Sequence, residues 1–382
     1  MSEVRGSVAN AHAFVQRLID LGLKHAVLSP GSRNAPISIT LAKAAEQGLI
    51  SLHVRIDERE AAFFALGLGK TSDIPALLCC TSGTAAVNFA PAVVEAADSR
   101  VPMLVLTADR PTGAAARGAS QSIEQEHMFA PHSIANLSVS EHADANAAAD
   151  RARIAWNASR GAKRGAAHVN MHLTEPLLVP TAQWPQLLAP TVVDVPGPAD
   201  EAFIAPMPIN FGERPVFIIG DLPQHETAAA HAALTIAREL RVPVLMEPTA
   251  GTRDSSVAIR HHTLVTDAFL KEATCVISLG RFGLGRHLRR LCEQVPTHIA
   301  FAAYGSGADP YATADVTLPA GQLAAALADM SATEPSWLQK WRDADDAAHN
   351  KLDSALREWA EQPTGIHIAQ EVLAAARAHD AL

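Results

Sequence analysis

His25-Ala-Val-Leu-Ser-Pro-Gly-Ser-Arg-Asn-Ala-Pro36 sets an apolar run, a glycine turn and a helix start next to one another. His25 to Leu28 reads as a short buried strand. Gly31 permits a close backbone approach that a side chain would block. The helix expected from about Pro36 begins with unpaired amides that favour an anion. The same alternation extends in both directions. Upstream, Val8, Ala11, Phe14, Val15, Leu18 and Ile19 share one helical face, and Gly22 ends that helix. Downstream the pattern predicts strands at Leu52–Ile56, Ala76–Cys80, Met103–Thr107 and 167–172. Between them it predicts helices at about Arg59–Leu68, Ala85–Ala97 and 143–160. Continuous apolar strands alternating with helices imply an α/β fold, with a parallel sheet covered on both faces.

Prolines at 176, 180, 185, 190, 196, 198, 206 and 208 then mark a linker. The alternation restarts with strands at Val216–Gly220, 243–246, 275–279 and 298–302, and helices at 226–239, near 264–271 and at 285–293. Two amphipathic helices, Trp337–Trp359 and Ile366–Arg377, follow, separated by Pro363-Thr-Gly365. The expected organisation is an α/β domain at 1–185, a Pro-rich linker at 186–212, a smaller α/β domain at 213–332, and a helical segment at 333–382. Both domains are expected to be doubly wound parallel sheets. The last helix has no strand after it and reads as the opening of a further domain.

Composition narrows the function. A net charge of −9 over 382 residues argues against nucleic acid as a general partner. No run of about 18 apolar residues occurs, so no spanning helix and no membrane partner is expected, and the start lacks a secretory signal pattern. Four cysteines without a Cys-x-x-Cys pair read as buried thiols in a reducing cytoplasm. Cys79 and Cys80 should face opposite sides of a strand. Seventeen histidines contain no His-Glu-x-x-His pattern. His168 and His172 fall in a strand, where four residues span roughly 13 Å, too far for one metal ion.

Ligands of open parallel sheets bind beyond the carboxyl ends of the strands. Four such ends carry polar residues. Ser29-Pro-Gly-Ser-Arg33 is either an ordinary turn with a surface arginine or an anion site with a bidentate fork. Asp57-Glu58-Arg59 either caps a helix, where the dipole favours acids, or presents a functional acid. Thr81-Ser82-Gly83-Thr84 holds a turn or a ligand. Thr107-Ala-Asp-Arg110-Pro111 opens a Gly/Ala-rich loop running to Ser120-Gln121. Together they suggest a pocket for a small anionic molecule.

The set Ser-Pro-Gly-Ser-Arg-Asn-Ala-Pro36, His53-Val-Arg-Ile-Asp-Glu-Arg59, Thr81-Ser-Gly-Thr-Ala-Ala-Val-Asn88, Leu106-Thr-Ala-Asp-Arg-Pro111 and Gly118-Ala-Ser-Gln121 resembles one family in order and spacing. It is the 2-succinyl-5-enolpyruvyl-6-hydroxy-3-cyclohexene-1-carboxylate synthase family of menaquinone biosynthesis. The resemblance covers the first domain strongly and the second weakly. It implies thiamine-diphosphate- and Mg2+-dependent decarboxylation of 2-oxoglutarate and addition of the resulting carbanion to isochorismate. It also implies a pyrimidine-binding first domain and a homo-oligomer whose sites are shared across a dimer. Glu58 matches the acid that bonds the cofactor's pyrimidine, and Thr81, Ser82 and Gly83 match a cofactor-side turn. Ser32, Arg33, Arg110 and Gln121 match positions lining the isochorismate side. Ser120 departs from the family's asparagine. Gly220-Asp221-Leu222 lacks the final glycine of the family's metal motif and is read as unrelated to it, so the diphosphate and metal site is expected in a further domain. Alternatives are another thiamine-diphosphate carboligase or decarboxylase, or a non-catalytic binding fragment.

Overall fold

The computed structural model describes residues 6–180, 184–190, 210–252, 256–302, 309–331 and 333–378. Most of the expected linker, 191–209, lies outside the described residues. The chain divides into two compact units, Met1–Glu201 and Ala202–Leu382.

The first unit runs α1 (Ser7–Asp20), β1 (His25–Leu28), α2 (Ala35–Glu46), β2 (Ser51–Val54), α3 (Glu58–Ser72), β3 (Ala76–Cys80), α4 (Thr84–Val87), α5 (Ala90–Asp98), β4 (Met103–Asp109), β5 (Ala135–Val139), α6 (Ala145–Ser159) and β6 (Ala166–His172). Its strands form a parallel sheet in the order β2-β1-β3-β4-β6-β5. The pleat sends alternate residues to opposite faces. Leu77, Cys79, Leu104 and Leu106 join Phe14, Leu18, Leu41 and Trp156 beneath α1, α2 and α6. Leu78, Cys80, Met103 and Val105 join Ala61, Ala65, Phe89 and Val93 beneath α3 and α5. Burying each large apolar side chain contributes about 1.5–3 kcal/mol, which is why the central strands are apolar on both faces. The chain leaves β1 for β2 on one side and later for β3 on the other, so strand order reverses at β1 and opens a crevice at the carboxyl ends.

Three local expectations change. The helix expected at Ala85–Ala97 is two helices, because Pro91 lacks an amide hydrogen and stands at the start of α5. The second strand stops at Val54, and Asp57 turns back to accept from the Glu60 amide at 2.8 Å as the cap of α3. Strand β5 was not expected. Its Ala135-Asn-Leu-Ser-Val139 pattern does alternate, and Ala135, Leu137 and Val139 pack on the core, but the run is short and half-buried at the sheet edge.

The second unit runs β7 (Pro215–Ile219), α7 (Thr227–Leu240), β8 (Val244–Met246), α8 (His262–Val265), β9 (Cys275–Leu279), α9 (Arg286–Gln294), β10 (Thr297–Ala302), β11 (Val316–Pro319), α10 (Leu323–Ala326), α11 (Trp337–Glu358) and α12 (Gly365–Ala378). Its parallel sheet has the order β11-β10-β9-β7-β8. The chain's own groups occupy the carboxyl ends of its central strands. The Asp221 amide donates to the Arg281 carbonyl at 2.7 Å and the Arg281 amide donates back at 2.9 Å. A Cβ on Gly220 would lie 2.0 Å from the Arg281 carbonyl oxygen, so glycine is required there. Glu247 accepts from the Gly283 and Leu284 amides at 2.9 and 2.8 Å. The first half of α11 belongs to this core. Trp341 stacks on Phe269 at 4.1 Å between centroids, and the Trp337 indole donates to the Pro215 carbonyl at 2.8 Å. Helix α12 leaves Ile366, Ile368, Val372 and Leu373 exposed.

Candidate functional site

The four polar strand ends anticipated from sequence belong to β2, β1, β3 and β4, which are neighbours in one parallel sheet, so they share one edge. At the end of β1, Asn34 is fully buried and ties the turn. Its Oδ1 accepts from the Gly31 amide at 2.8 Å, and its Nδ2 donates to the Ser29 carbonyl at 3.0 Å. A Cβ on Gly31 would come within 2.5 Å of Thr81 Cβ, so the turns after β1 and β3 approach as closely as glycine allows. Ser32 is exposed beside this contact.

Glu58 stands in the first turn of α3 and is half-buried. Among the described residues its carboxylate takes no hydrogen bond and no ion pair. It lies near the end of β3. Burial pushes the Cys80 thiol well up, and Cys79 and Glu58 push it further.

The turn after β3 is buried at Thr81 and Ser82. Gly83 has φ 86 and ψ −150, a conformation other residues reach only under strain. The Gly83 amide donates to Gln125 Oε1 at 2.7 Å. Ser82 and Gln121 are joined reciprocally: the serine hydroxyl donates to the Gln121 carbonyl, and the glutamine Nε2 donates to the Ser82 carbonyl, both at 3.1 Å.

Strand β4 continues past Thr107 to Asp109, so Thr107 is inside the sheet and not at its end. Its hydroxyl donates to Asn170 Oδ1 at 2.7 Å and lies 2.8 Å from His168 Nε2. Burial, then His127, holds the His168 imidazole down at about 3, so it is neutral. Asn170 Nδ2 donates to Asp109 at 2.8 Å, and Gln125 Nε2 donates to Asn170 Oδ1 at 2.9 Å. Asp109 also caps the Arg110 amide at 2.7 Å. Burial raises the Asp109 carboxyl, while Asn170 and the Arg110 amide pull it back.

Arg33 and Arg110 are near enough to repel. Burial, then the Arg110 charge, lowers the Arg33 guanidinium, opposed by Glu175 and Asp109. Arg33 donates to the Leu173 carbonyl at 2.9 Å and sits 3.7 Å from Glu175. Two guanidinium groups held together form a receptor for a carboxylate.

The structure thus brings Arg33, Thr81, Ser82, Gly83, Arg110 and Gln121 to one sheet edge, with Glu58 at the start of α3 just after β2. Ser120 is exposed in the loop. Sequence reading missed Gln125, Asn170 and His172, which join β4, β6 and the Thr81–Gly83 turn. Four polar groups at this edge have no partner among the described residues: the Glu58 carboxylate, Thr81 Oγ1, Ser29 Oγ and Arg110 Nε, the last three buried. Buried polar atoms without partners cost about 1–3 kcal/mol each, so the edge suits a ligand carrying donors and acceptors, as a pyrimidine cofactor and a carboxylate substrate do.

Residues 9–128 match the family described as thiamine pyrophosphate enzyme, N-terminal TPP binding domain. Three relatives bear the name 2-succinyl-5-enolpyruvyl-6-hydroxy-3-cyclohexene-1-carboxylate synthase. That of Kineococcus radiotolerans is 35% identical over 390 residues, covering 97% of this chain and 67% of that protein. That of Geobacillus thermodenitrificans is 34% identical, covering 94% and 65%. That of Listeria monocytogenes serotype 4b is 33% identical, covering 78% and 53%. The chain spans about half to two thirds of the length of these relatives.

Proposed function

Because this chain belongs to the 2-succinyl-5-enolpyruvyl-6-hydroxy-3-cyclohexene-1-carboxylate synthase family, we propose that it carries two parts of that enzyme: the pyrimidine side of a thiamine-diphosphate site and the pocket for isochorismate. The reaction proposed is the joining of decarboxylated 2-oxoglutarate to isochorismate. The observation that supports this most is the row of polar groups, Glu58, Thr81 and Arg110, that follow β2, β3 and β4 and include atoms without a partner among the described residues. When bound, thiamine diphosphate supplies the electron sink that lets a 2-oxo acid lose carbon dioxide. Glu58 would hold it by a hydrogen bond to the pyrimidine ring and keep a proton there. Thr81, Ser82 and Gly83 would shape the wall against which the ring packs. Arg33 and Arg110, with Ser32 and Gln121, would orient the carboxylates of isochorismate. Because Gly220-Asp221-Leu222 lacks the final glycine of the family's metal motif, we assign the Mg2+ and diphosphate contacts to the part of the relatives' length that this chain does not span.

Apolar residues beside the site support a second copy as partner. Ile56 is 80% exposed two residues before Glu58, and Val54, Phe63, Val87 and Val94 are exposed on the same unit. Four buried, unpaired cysteines fit a reducing cytoplasm, and no helix among the described residues is long and apolar enough to cross a membrane.

The test is turnover of 2-oxoglutarate and isochorismate with thiamine diphosphate and Mg2+. It is measured for the chain alone and for the chain fused to the remaining segment of the Kineococcus relative. Isochorismate-dependent product from the fusion is the expected result. Decarboxylation that ignores isochorismate would favour another carboligase, and no turnover in a folded, cofactor-loaded fusion would favour a binding fragment.

A further inference from the structure

We infer that His172 is a positioning residue that pins both ends of the Arg110–Glu126 loop and so holds the Arg110 guanidinium in place for the substrate carboxylate. The inference rests on the reading of Arg110 as a substrate contact.

His172 closes β6 and is 7% exposed. Its Nδ1 lies 2.6 Å from the Arg110 carbonyl, at the loop's start, and its Nε2 lies 3.2 Å from Glu126 Oε1, at the loop's end. A carbonyl and a carboxylate both accept, so both ring nitrogens must donate, and only the imidazolium does that. The charged groups around the ring agree. Asp109 on β4 is 3.9 Å from Nδ1, Glu126 faces Nε2, and Glu141, just beyond β5, adds its field. Burial is the largest single influence and lowers the imidazole, but the Arg110 carbonyl, Glu126, Asp109 and Glu141 together outweigh it and raise it. Glu126 is lowered in return, chiefly by its bond to His172.

The loop has little else to hold it. It contains no helix and no strand, and most of its residues between Thr112 and Glu124 are exposed. Apart from His172, it is held by Thr112 on Glu141, Gln121 on Ser82, Gln125 on Gly83, Ala108 and Asn170, and the Ser138 hydroxyl on Glu126. None of these grips Arg110 itself. The Asp109 carboxylate takes the Arg110 amide, so His172 on the carbonyl completes the clamp on that residue's backbone. Leu173, the residue that follows β6, gives its carbonyl to Arg33. One strand end therefore sets both guanidinium groups, His172 through a backbone and Leu173 directly.

Three measurements on the whole chain test this. Long-range 1H–15N spectra of histidine-labelled protein, with His172→Gln identifying the signal, should show both His172 nitrogens protonated at pH 7. Hydrogen exchange across 110–126, corrected for intrinsic rates, should speed up in His172→Gln while the rest of the unit is unchanged. Calorimetric titration with isochorismate should show affinity falling about tenfold as wild type passes through the His172 pKa above 6.5. His172→Gln should be weak and flat across the same range. A neutral His172 at pH 7, or loop exchange and isochorismate affinity unaltered in His172→Gln, overturns the inference. If His172→Gln does not fold, Glu126→Gln, on a side chain 42% exposed, should lower the His172 midpoint and the pH at which affinity falls. An unmoved affinity midpoint overturns the inference there too. Loosened exchange in a chain whose Arg110→Ala variant still binds isochorismate normally would instead overturn the substrate reading of Arg110.

Discussion

Glu58 occupies the first turn of α3, where the helix dipole favours a carboxylate, yet no described residue donates to it. In the fused enzyme, Glu58→Gln should lower turnover by about 10²–10⁴-fold and leave the circular dichroism spectrum unchanged. Turnover near wild type would remove Glu58 from the proposed cofactor contact. Arg33→Ala should weaken isochorismate use more than carbon dioxide release from 2-oxoglutarate, and equal losses would place Arg33 elsewhere. Arg110→Lys should fail in the same way, because an ammonium cannot reproduce a planar fork. These residues were legible because they are polar, stand at strand ends and sit in a recognisable order. Gln125, Asn170 and His172 were not. Gln125 lies in a Gly/Ala-rich loop that reads as surface, and it is buried only because Gly83, Ala108 and Asn170 satisfy it. The sequence does place His168 and His172 in one strand. It does not show that one is neutral within the sheet and the other charged at its end.

Elements differ in what fixes them. The strands were legible as uninterrupted apolar runs, since both faces are covered. What escaped was β5, whose period is visible but brief, and the division of α4 from α5, which turns on Pro91 alone. The turn after β3 depends on Gly83, whose backbone angles are reached by glycine and whose added Cβ would stand 3.0 Å from Gln121 Cγ. Gly83→Ala should therefore cost the first unit about 1–3 kcal/mol, read as a lowered urea midpoint, and should loosen the Gln121 loop. A midpoint equal to wild type would show that the turn adapts. In α11, Trp341→Ala opens a cavity beside Phe269 and Trp337 and should cost about 3–5 kcal/mol. That loss should appear in near-ultraviolet signals of the second unit. An unchanged unfolding curve would mean that the helix only rests on the unit.

At the scale of the whole molecule, proton balance and cofactor affinity are both measurable. His172 is raised from its usual 6.5, so its contribution to stability is complete below that value and is lost as pH rises through the folded pKa. Asp109, raised chiefly by burial, acts in the same direction at lower pH, because the unfolded chain gives up that proton first. The first unit's melting temperature should decline above pH 6.5 in wild type and less so in His172→Gln. Parallel declines would contradict the charged state of His172. Thiamine diphosphate with Mg2+ should bind the chain alone only weakly, near millimolar. One or two hydrogen bonds worth about 0.5–1.5 kcal/mol each do not offset the lost freedom of the molecule. Magnesium-dependent micromolar binding would reveal a diphosphate site inside this chain.

Cys79 and Cys80 are neighbours in sequence yet lie in separate apolar layers, one with Phe14 and Trp156, the other with Phe89 and Val93. Burial holds Cys79 up at about 12 and Cys80 well above its usual value, so neither is a reactive thiolate while its layer is closed. A thiol-directed reagent therefore meets a two-channel gauge spaced one residue apart. Modification of Cys79 times the opening of the α1–α2–α6 side. Modification of Cys80 times the opening of the α3–α5 side, the side that carries Glu58. Pulsed alkylation read by fragment masses could then tell which cover lifts first, with no label introduced.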